Sequence, residues 1–275
     1  MIRQQDSIRY VYSMYYAGID AGSVFTKVAI LDDEGTVTYA IRPSGRNYQD
    51  SIRSALNDAL TRRQTSINDI RIFVTTGYGA SAANFPNKYM SDITCMAKGV
   101  SFLFPNAKTF VEVGGQVSKV VRIAHGGGVI KFVSGDRCAG GSGRFLQVVS
   151  MILNLSFEEM CRLSLEPGKR IKFSTSCAVF AETEVISRIA EGATPEEILA
   201  GIRESIANRI TNMANRVNAE EDCVVCGGGA KDIGLVKMVE EKLGLNLFVP
   251  FEPLICGAIG AAAIGKEICL ESEEE

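Results

Sequence analysis

Two short acidic segments, 92 residues apart, carry residue types that can hold a metal-bound phosphate. Asp20-Ala21-Gly22 matches Glu112-Val113-Gly114, and Thr26-Lys27-Val28 matches Ser118-Lys119-Val120 at the same offset. A carboxylate followed by a glycine turn and a returning strand places an acidic side chain and backbone N–H groups at a hairpin tip. Two such tips facing each other across a cleft could grip one polyphosphate and its magnesium ion. The alternative is two unrelated hairpins with acidic turns.

The repeat extends beyond these tips. Each copy continues through a short apolar run, Ala29–Leu31 or Val121–Ile123, into a turn that contains Gly35 or Gly127. A second strand-like run follows in both copies. We interpret the pattern as a duplicated unit, and we expect two lobes of similar structure.

The rest of the chain alternates predicted helices with predicted strands. Apolar residues at helical spacing predict a helix over 51–63, and the apolar run 70–75 is typical of a buried strand. Two further helix starts carry the pattern of a capping box, Ser156 with Glu159 and Thr194 with Glu197. The chain is therefore predicted to have an α/β fold.

A glycine run marks a second place where a nucleotide could approach the backbone. A predicted strand over 222–226 ends in Gly227-Gly228-Gly229-Ala230, and a predicted helix follows over 233–243. Without a Cβ, these residues let a base or ribose come close, although a flexible turn would need the same residues. The sequence has no G-x-x-x-x-G-K-[ST] motif, and no clear strand leads into the glycines at 140, 141 and 143. We therefore exclude a P-loop and a dinucleotide fingerprint.

Length and composition limit the classes of function. The 275 residues exceed what one compact core usually serves, which favours two lobes. The net charge is −3, so no global positive field is available to hold a nucleic acid. The longest stretch of small apolar residues, 255–265, is too short to span a bilayer. We expect a cytoplasmic protein that binds neither nucleic acid nor membrane.

Two of the eight cysteines differ from the others in their setting. Cys138 and Cys177 both lie near predicted helix N-termini, where the helix dipole stabilises a thiolate. Two thiolates do not complete an iron–sulfur site that needs four, but a two-fold dimer would supply four. A buried pair of small residues is the alternative. Cys223 and Cys226 lie three apart on a predicted strand and project from opposite faces, which indicates core packing.

Several motifs together resemble those of one family over nearly the whole chain, from about residue 17 to 265. The chain is similar to the ATP-dependent activators of 2-hydroxyacyl-CoA dehydratases, which are related to the ATPase subunits of benzoyl-CoA reductase. The resemblance rests on these segments: Gly18-Ile19-Asp20-Ala21-Gly22-Ser23, Thr76-Gly77-Tyr78-Gly79, Val113-Gly114-Gly115-Gln116, Cys138-Ala139-Gly140-Gly141-Ser142-Gly143-Arg144-Phe145, Ser176-Cys177-Ala178-Val179-Phe180-Ala181-Glu182 and Gly257-Ala258-Ile259-Gly260-Ala261-Ala262.

The resemblance implies the fold of actin, hexokinase and the heat-shock ATPases, with two duplicated RNase H-like lobes around an ATP cleft. It predicts a first lobe over 17–105 plus 256–270, a second over 106–255, and an N-terminal extension over 1–16. It implies a homodimer that shares one 4Fe-4S cluster, with Cys138 and Cys177 as the ligands. It also implies a ferredoxin or flavodoxin as electron donor and an iron–sulfur dehydratase as the partner that receives the electron.

The resemblance also assigns the nucleotide site. It implies that Asp20 holds Mg²⁺ through water and, with Glu112 and Gln116, forms the catalytic set. The remaining predicted contacts to ATP or ADP belong to three segments: Gly22, Ser23, Val24 and Lys27 at the first tip, Gly114 and Gly115 at the second, and Gly228 and Gly229 near the adenosine.

The chain departs from the family pattern at three positions. Members usually read Asp-Ile-Gly-Gly-Gln-Asp at the second tip, whereas this chain has Glu112 first and Val117 last. Val24 stands where a threonine is customary. These departures leave the partner open, and the second candidate is a double-cubane-cluster protein that the chain reduces with ATP. Two competing functions are a small-molecule kinase of the same fold and a nucleotide-switched scaffold without redox chemistry.

Overall fold

Two five-stranded sheets of the same topology organise the part of the chain that the structure describes. That part of the computed structural model comprises residues 14–135, 142–163, 170–173 and 178–274. The first sheet has the order β3-β2-β1-β4-β5, with β1 Tyr15–Ala21, β2 Phe25–Asp32, β3 Val37–Pro43, β4 Ile70–Thr76 and β5 Lys88–Tyr89. The second has the order β8-β7-β6-β9-β10, with β6 Thr109–Val113, β7 Ser118–Ile123, β8 Val129–Ser134, β9 Cys223–Cys226 and β10 Leu247–Phe248.

The two sheets repeat their strand directions as well as their order. β1 and β6 each pair antiparallel with the strand that follows and parallel with a later strand, β4 or β9. The turns after β2 and β7 contain Gly35 and Gly127, both in the left-handed region with φ of 87° and 88°. The predicted duplication is therefore present in the backbone, down to the equivalent glycines of the turns.

Eight helices accompany the sheets in the described residues. They are α1 Tyr48–Arg63, α2 Asp92–Leu103, α3 Gly143–Ile152, α4 Phe157–Arg162, α5 Ala178–Ala190, α6 Pro195–Val217, α7 Ile233–Leu243 and α8 Cys256–Glu274. The capping boxes that start α4 and α6 are confirmed, and α7 has the predicted bounds. α1 begins three residues before the predicted start because the Asn47 side chain caps it, accepting a hydrogen bond from the Gln49 N–H.

Two helices connect the sheets by crossing from one to the other. α2 follows β5 of the first sheet but packs on the second, where Met96 and Val100 contact Phe110 and Val121. α8 follows β10 of the second sheet but packs on β1, β2 and β4 of the first. α1 and α6 cover the remaining faces, one on each sheet. The predicted lobe boundary at 105 stays a prediction, since α2 touches both halves.

α2 and α8 touch each other backbone to backbone where they cross. A Cβ on Gly99 would collide with the Cys256 carbonyl, and one on Gly260 would collide with the Cys95 carbonyl. The glycines therefore allow the backbones of the two helices to come into direct contact. No helix in the described ranges combines the length and apolarity needed to cross a bilayer.

Candidate functional site

The tips of the two duplicated hairpins open onto one cleft between the sheets. The cleft contains about 1280 Å³ of empty space, including its open mouth. Ten of the predicted site residues line it: Asp20, Gly22, Ser23, Val24, Lys27, Glu112, Gly114, Gly115, Gln116 and Gly228. The structure thus brings together residues that are more than two hundred positions apart in the sequence.

At the first tip, the carboxylate and the lysine form an ion pair across the hairpin. Asp20 on β1 and Lys27 on β2 are register partners, and Lys27 Nζ lies 2.7 Å from Asp20 Oδ2. Lys27 Nζ also donates to the Phe25 carbonyl at 3.1 Å. Both side chains are largely buried, with 10% and 14% of their surface exposed. A Cβ at Gly22 would lie 2.7 Å from Lys27 Nζ, so glycine keeps the lysine in the site.

Glycines also clear the space on both sides of the Asp20 carboxylate. A Cβ at Gly77 would lie 2.7 Å from Oδ1, and one at Gly257 would lie 2.8 Å from Oδ2. Gly77 has φ of 88°, a conformation that favours glycine. Gly257 belongs to the first turn of α8, whose N-terminal dipole favours negative charge. One carboxylate in such a cradle fits Mg²⁺, which keeps several waters and uses one or two carboxylates.

At the second tip, the lysine has two carboxylate partners. Lys119 is the register partner of Glu112, and its Nζ lies 2.8 Å from Glu112 Oε2. It also lies 2.7 Å from Oδ2 of Asp92, in the first turn of α2. Burial alone would lower the pKa of Lys119, but Glu112 and Asp92 together raise it above its usual value. Sequence reasoning missed Asp92 as a member of the site.

The two tips contact each other at the floor of the cleft. A Cβ on Gly115 would lie 2.6 Å from Val24 Cγ2 and 3.2 Å from Ser23 Oγ. The second tip is closed by a hydrogen bond from the Gly114 N–H to the Val117 carbonyl, at 3.2 Å. Val24 therefore forms an apolar contact between the lobes at the position where the family customarily has a hydroxyl.

The glycine run after β9 forms the far end of the cleft. Gly228 lines the cleft, and only Leu254 Cδ2, at 3.6 Å, would meet a Cβ placed there. Gly229 is buried behind it, and its Cβ direction points into Val113. Phe157 and Lys231 also line this end. The structure thus gives the two glycines different settings, one facing the cleft and one packed against β6.

The predicted cluster ligands, Cys138 and Cys177, lie outside the described residues. The helices that follow them, α3 and α5, are described and pack against each other. Among the described residues, no three or more His, Cys, Asp and Glu side chains are grouped to hold a metal ion. Cys223 and Cys226 are buried in different core clusters, and burial raises the pKa of Cys223 to about 12. Core packing of this pair, as predicted, is confirmed.

Comparison with known proteins identifies the family. The model of the BadF/BadG/BcrA/BcrD ATPase family matches residues 17–265. The chain belongs to this family. The predicted resemblance to the dehydratase activators and the predicted two-lobed fold of the actin and heat-shock ATPase type are both confirmed.

Three similar proteins have named functions. The 2-hydroxyisocaproyl-CoA dehydratase activator of Clostridioides difficile is 34% identical over 95% of this chain and 98% of its own length. The activator of lactoyl-CoA dehydratase of Anaerotignum propionicum is 36% identical over 92% of this chain and 98% of its own. A solved structure of the former type of activator from Clostridium difficile with bound ADPNP, 32% identical, covers 95% of this chain and 97% of its own with a TM-score of 0.89.

Proposed function

We propose that this protein is an ATP-dependent activator that transfers a low-potential electron to an iron–sulfur enzyme of the 2-hydroxyacyl-CoA dehydratase type. The observation that carries the proposal is the pair of carboxylate–lysine tips that face one cleft. It occurs in a member of an ATPase family whose similar relatives are dehydratase activators.

Each part of the cleft suits one part of a magnesium nucleotide. Asp20 holds the cation through water, and the N–H groups and side chains of the first tip, with Lys27, contact the phosphates. Gly114 and Gly115 face the γ-phosphate, where backbone N–H groups can approach an anion closely. Gly228 suits the end where the adenosine belongs, because among the described residues only Leu254 would come within 4 Å of a Cβ placed there. Glu112 and Gln116 complete the catalytic set.

The cysteine motifs supply the redox part of the proposal. Cys138 and Cys177 of one protomer, with the same two residues of a second copy, give the four thiolates that a 4Fe-4S cluster requires. When bound, such a cluster accepts one electron from a ferredoxin or flavodoxin and passes it on. α3 and α5 begin just after the two cysteines, and α3 reaches the cleft through Gly143 and Gln147. A change in the cleft can therefore reach α3 and, through the contact of α3 with α5, the helix that follows Cys177 in the sequence.

The test is anaerobic purification followed by iron analysis and activity assays. We expect a brown homodimer with about four irons per dimer, ATP hydrolysis, and ATP-dependent activation of a 2-hydroxyacyl-CoA dehydratase. Cys138→Ser and Cys177→Ser should each abolish the cluster and the activation. Cys269→Ser is the matched control, because Cys269 is a partly exposed free thiol on α8.

Three results would contradict the proposal in different ways. A colourless preparation that takes up no iron on reconstitution would exclude the cluster. ATP turnover that depends on a small hydroxylated substrate and tolerates Cys138→Ser would indicate a kinase of the same fold. Activation of a double-cubane-cluster protein, but of no dehydratase, would assign the chain to the alternative class of partner.

A further inference from the structure

One buried hydroxyl at the cleft has no nitrogen or oxygen partner in the described part of the protein. Thr76 is the last residue of β4, and it is 1% exposed. Its Oγ1 makes no hydrogen bond to a nitrogen or oxygen atom of the described residues. A buried hydroxyl without a partner costs free energy relative to a valine of the same shape. The hydroxyl of Thr76 therefore does not stabilise this conformation of the protein.

The position of Thr76 in the sheet places it beside Asp20. The two residues are register partners in the parallel pair of β1 and β4, and both line the cleft. Neighbouring strands lie roughly 4.8 Å apart, and register partners project to the same face of the sheet. Gly77, which follows Thr76, is one of the glycines at which a Cβ would crowd the Asp20 carboxylate.

The other neighbour of the Thr76 hydroxyl is the thiol of Cys95 on α2. Burial raises the pKa of this thiol to about 12, and a side-chain hydrogen bond with the Thr76 hydroxyl acts in the opposite direction. A neutral thiol is only a weak hydrogen-bonding group, so it does not replace a full partner. The adjacent Thr75 is different, because its Oγ1 donates to Asn87 Oδ1 at 2.7 Å. Two equally buried threonines on one strand thus differ in whether their hydroxyls are satisfied.

We propose that Thr76 is a positioning residue of the nucleotide site, and that its hydroxyl bonds a water molecule held by the cation at Asp20. This inference rests on the proposed nucleotide function of the cleft. A hydroxyl both donates and accepts hydrogen bonds, and Mg²⁺ keeps most of its waters when only one carboxylate holds it. A water between Asp20 and Thr76 would satisfy the hydroxyl, and a bridging water is nearly as favourable as a direct hydrogen bond. Thr76 then contributes to binding only when magnesium and nucleotide are both present.

The experiment compares Thr76→Val, Thr76→Ser and the matched control Thr75→Val in the anaerobically purified protein. Melting temperatures are measured without nucleotide, and ADPNP affinity is measured by calorimetry with Mg²⁺ and with EDTA. We expect Thr76→Val to melt at or above the wild-type temperature and to lose about tenfold in affinity for Mg-ADPNP only, a loss of about 1.4 kcal/mol. Thr76→Ser should retain the affinity. Thr75→Val should lower the melting temperature and leave the affinity unchanged.

The outcomes separate this inference from the function on which it rests. If the wild type binds Mg-ADPNP and Thr76→Val binds it equally well, the role of Thr76 is wrong and the proposed function stands. An equal loss with Mg²⁺ and with EDTA would also overturn the inference, because it would place the hydroxyl away from the cation. If the wild type binds no ADPNP under either condition, the proposed function fails and the inference fails with it.

Discussion

The two hairpin tips have the same backbone arrangement, but the charged groups around their lysines differ. In both, a carboxylate pairs with a lysine seven residues later across an antiparallel register. Lys27 has one carboxylate partner, Asp20, whereas Lys119 has Glu112 and also Asp92. Duplication therefore set the geometry of both tips, while a helix outside the repeat changed the charge balance of the second. Among the described residues, the lysine of the first tip thus has one ion pair, whereas the lysine of the second tip keeps one carboxylate partner if the other is removed.

The surroundings of the two carboxylates also differ between the tips. Gly77 and Gly257 clear the space on both sides of Asp20, and α8 directs its N-terminus at it. Glu112 has a longer side chain than the aspartate that the family usually has, and it still reaches Lys119 at 2.8 Å. The difference between the tips supports the proposal that the cation binds at the first tip and that the second tip assists it.

The largest expected difference between the tips is in ATP turnover. We expect Asp20→Asn to lower kcat about 100-fold, the loss that follows removal of a preorganised electrostatic group from an active site. Glu112→Gln should lower kcat only about tenfold, because Asp92 still holds Lys119 in place. Steady-state ATPase assays on both variants make the comparison. Equal losses would mean that the tips act symmetrically.

A smaller effect is expected where the tips touch. Gly115→Ala places a methyl group 2.6 Å from Val24 Cγ2, and such overpacking costs about 1–2 kcal/mol. The added Val24→Ala change removes the colliding methyl group and should restore most of the loss. The free energy of unfolding, measured in urea, reports both effects. If Val24→Ala brings no recovery, the contact between the tips is not the source of the cost.

The smallest effect should appear in a double-mutant cycle on Lys119. Glu112→Gln and Asp92→Asn each leave Lys119 with one carboxylate, but together they leave a largely buried cation unpaired. Asp92 is 47% exposed, so solvent screening limits the coupling to about 0.5–1 kcal/mol. Urea unfolding of the two single variants and the double variant measures it. Strict additivity would show that the carboxylates do not substitute for each other.

Much of this arrangement could be predicted from local sequence patterns. The offset of 92 residues predicted that Asp20 and Lys27 are equivalent to Glu112 and Lys119, because a hairpin turn fixes the register of its strands. The capping box at Ser156 also predicted the start of α4, and the glycines at 35 and 127 predicted the turns after β2 and β7, because each of these signals acts over only a few residues.

The features that sequence reasoning missed depend on contacts between distant segments. Asp92 reaches Lys119 only because α2 crosses to the second sheet, and nothing near residue 92 signals that crossing. Thr75 and Thr76 are adjacent and chemically identical, so only the tertiary structure shows which hydroxyl is satisfied. Likewise, Gly228 and Gly229 are indistinguishable in sequence, and only β6 behind them separates their settings.

The backbone contact between α2 and α8 limits how the two halves can move. Shifting one helix along the other by one turn, about 5.4 Å, would bring Leu103 or Ile264 to the place of Gly99 or Gly260, where the facing carbonyl leaves no room for a Cβ. The backbone contact therefore opposes sliding of α2 along α8, and we expect the two helices to move together. We expect a rotation between the halves to be taken up by the links before these helices, at residues 90–91 and 249–255, and a rigidifying substitution there to hinder it.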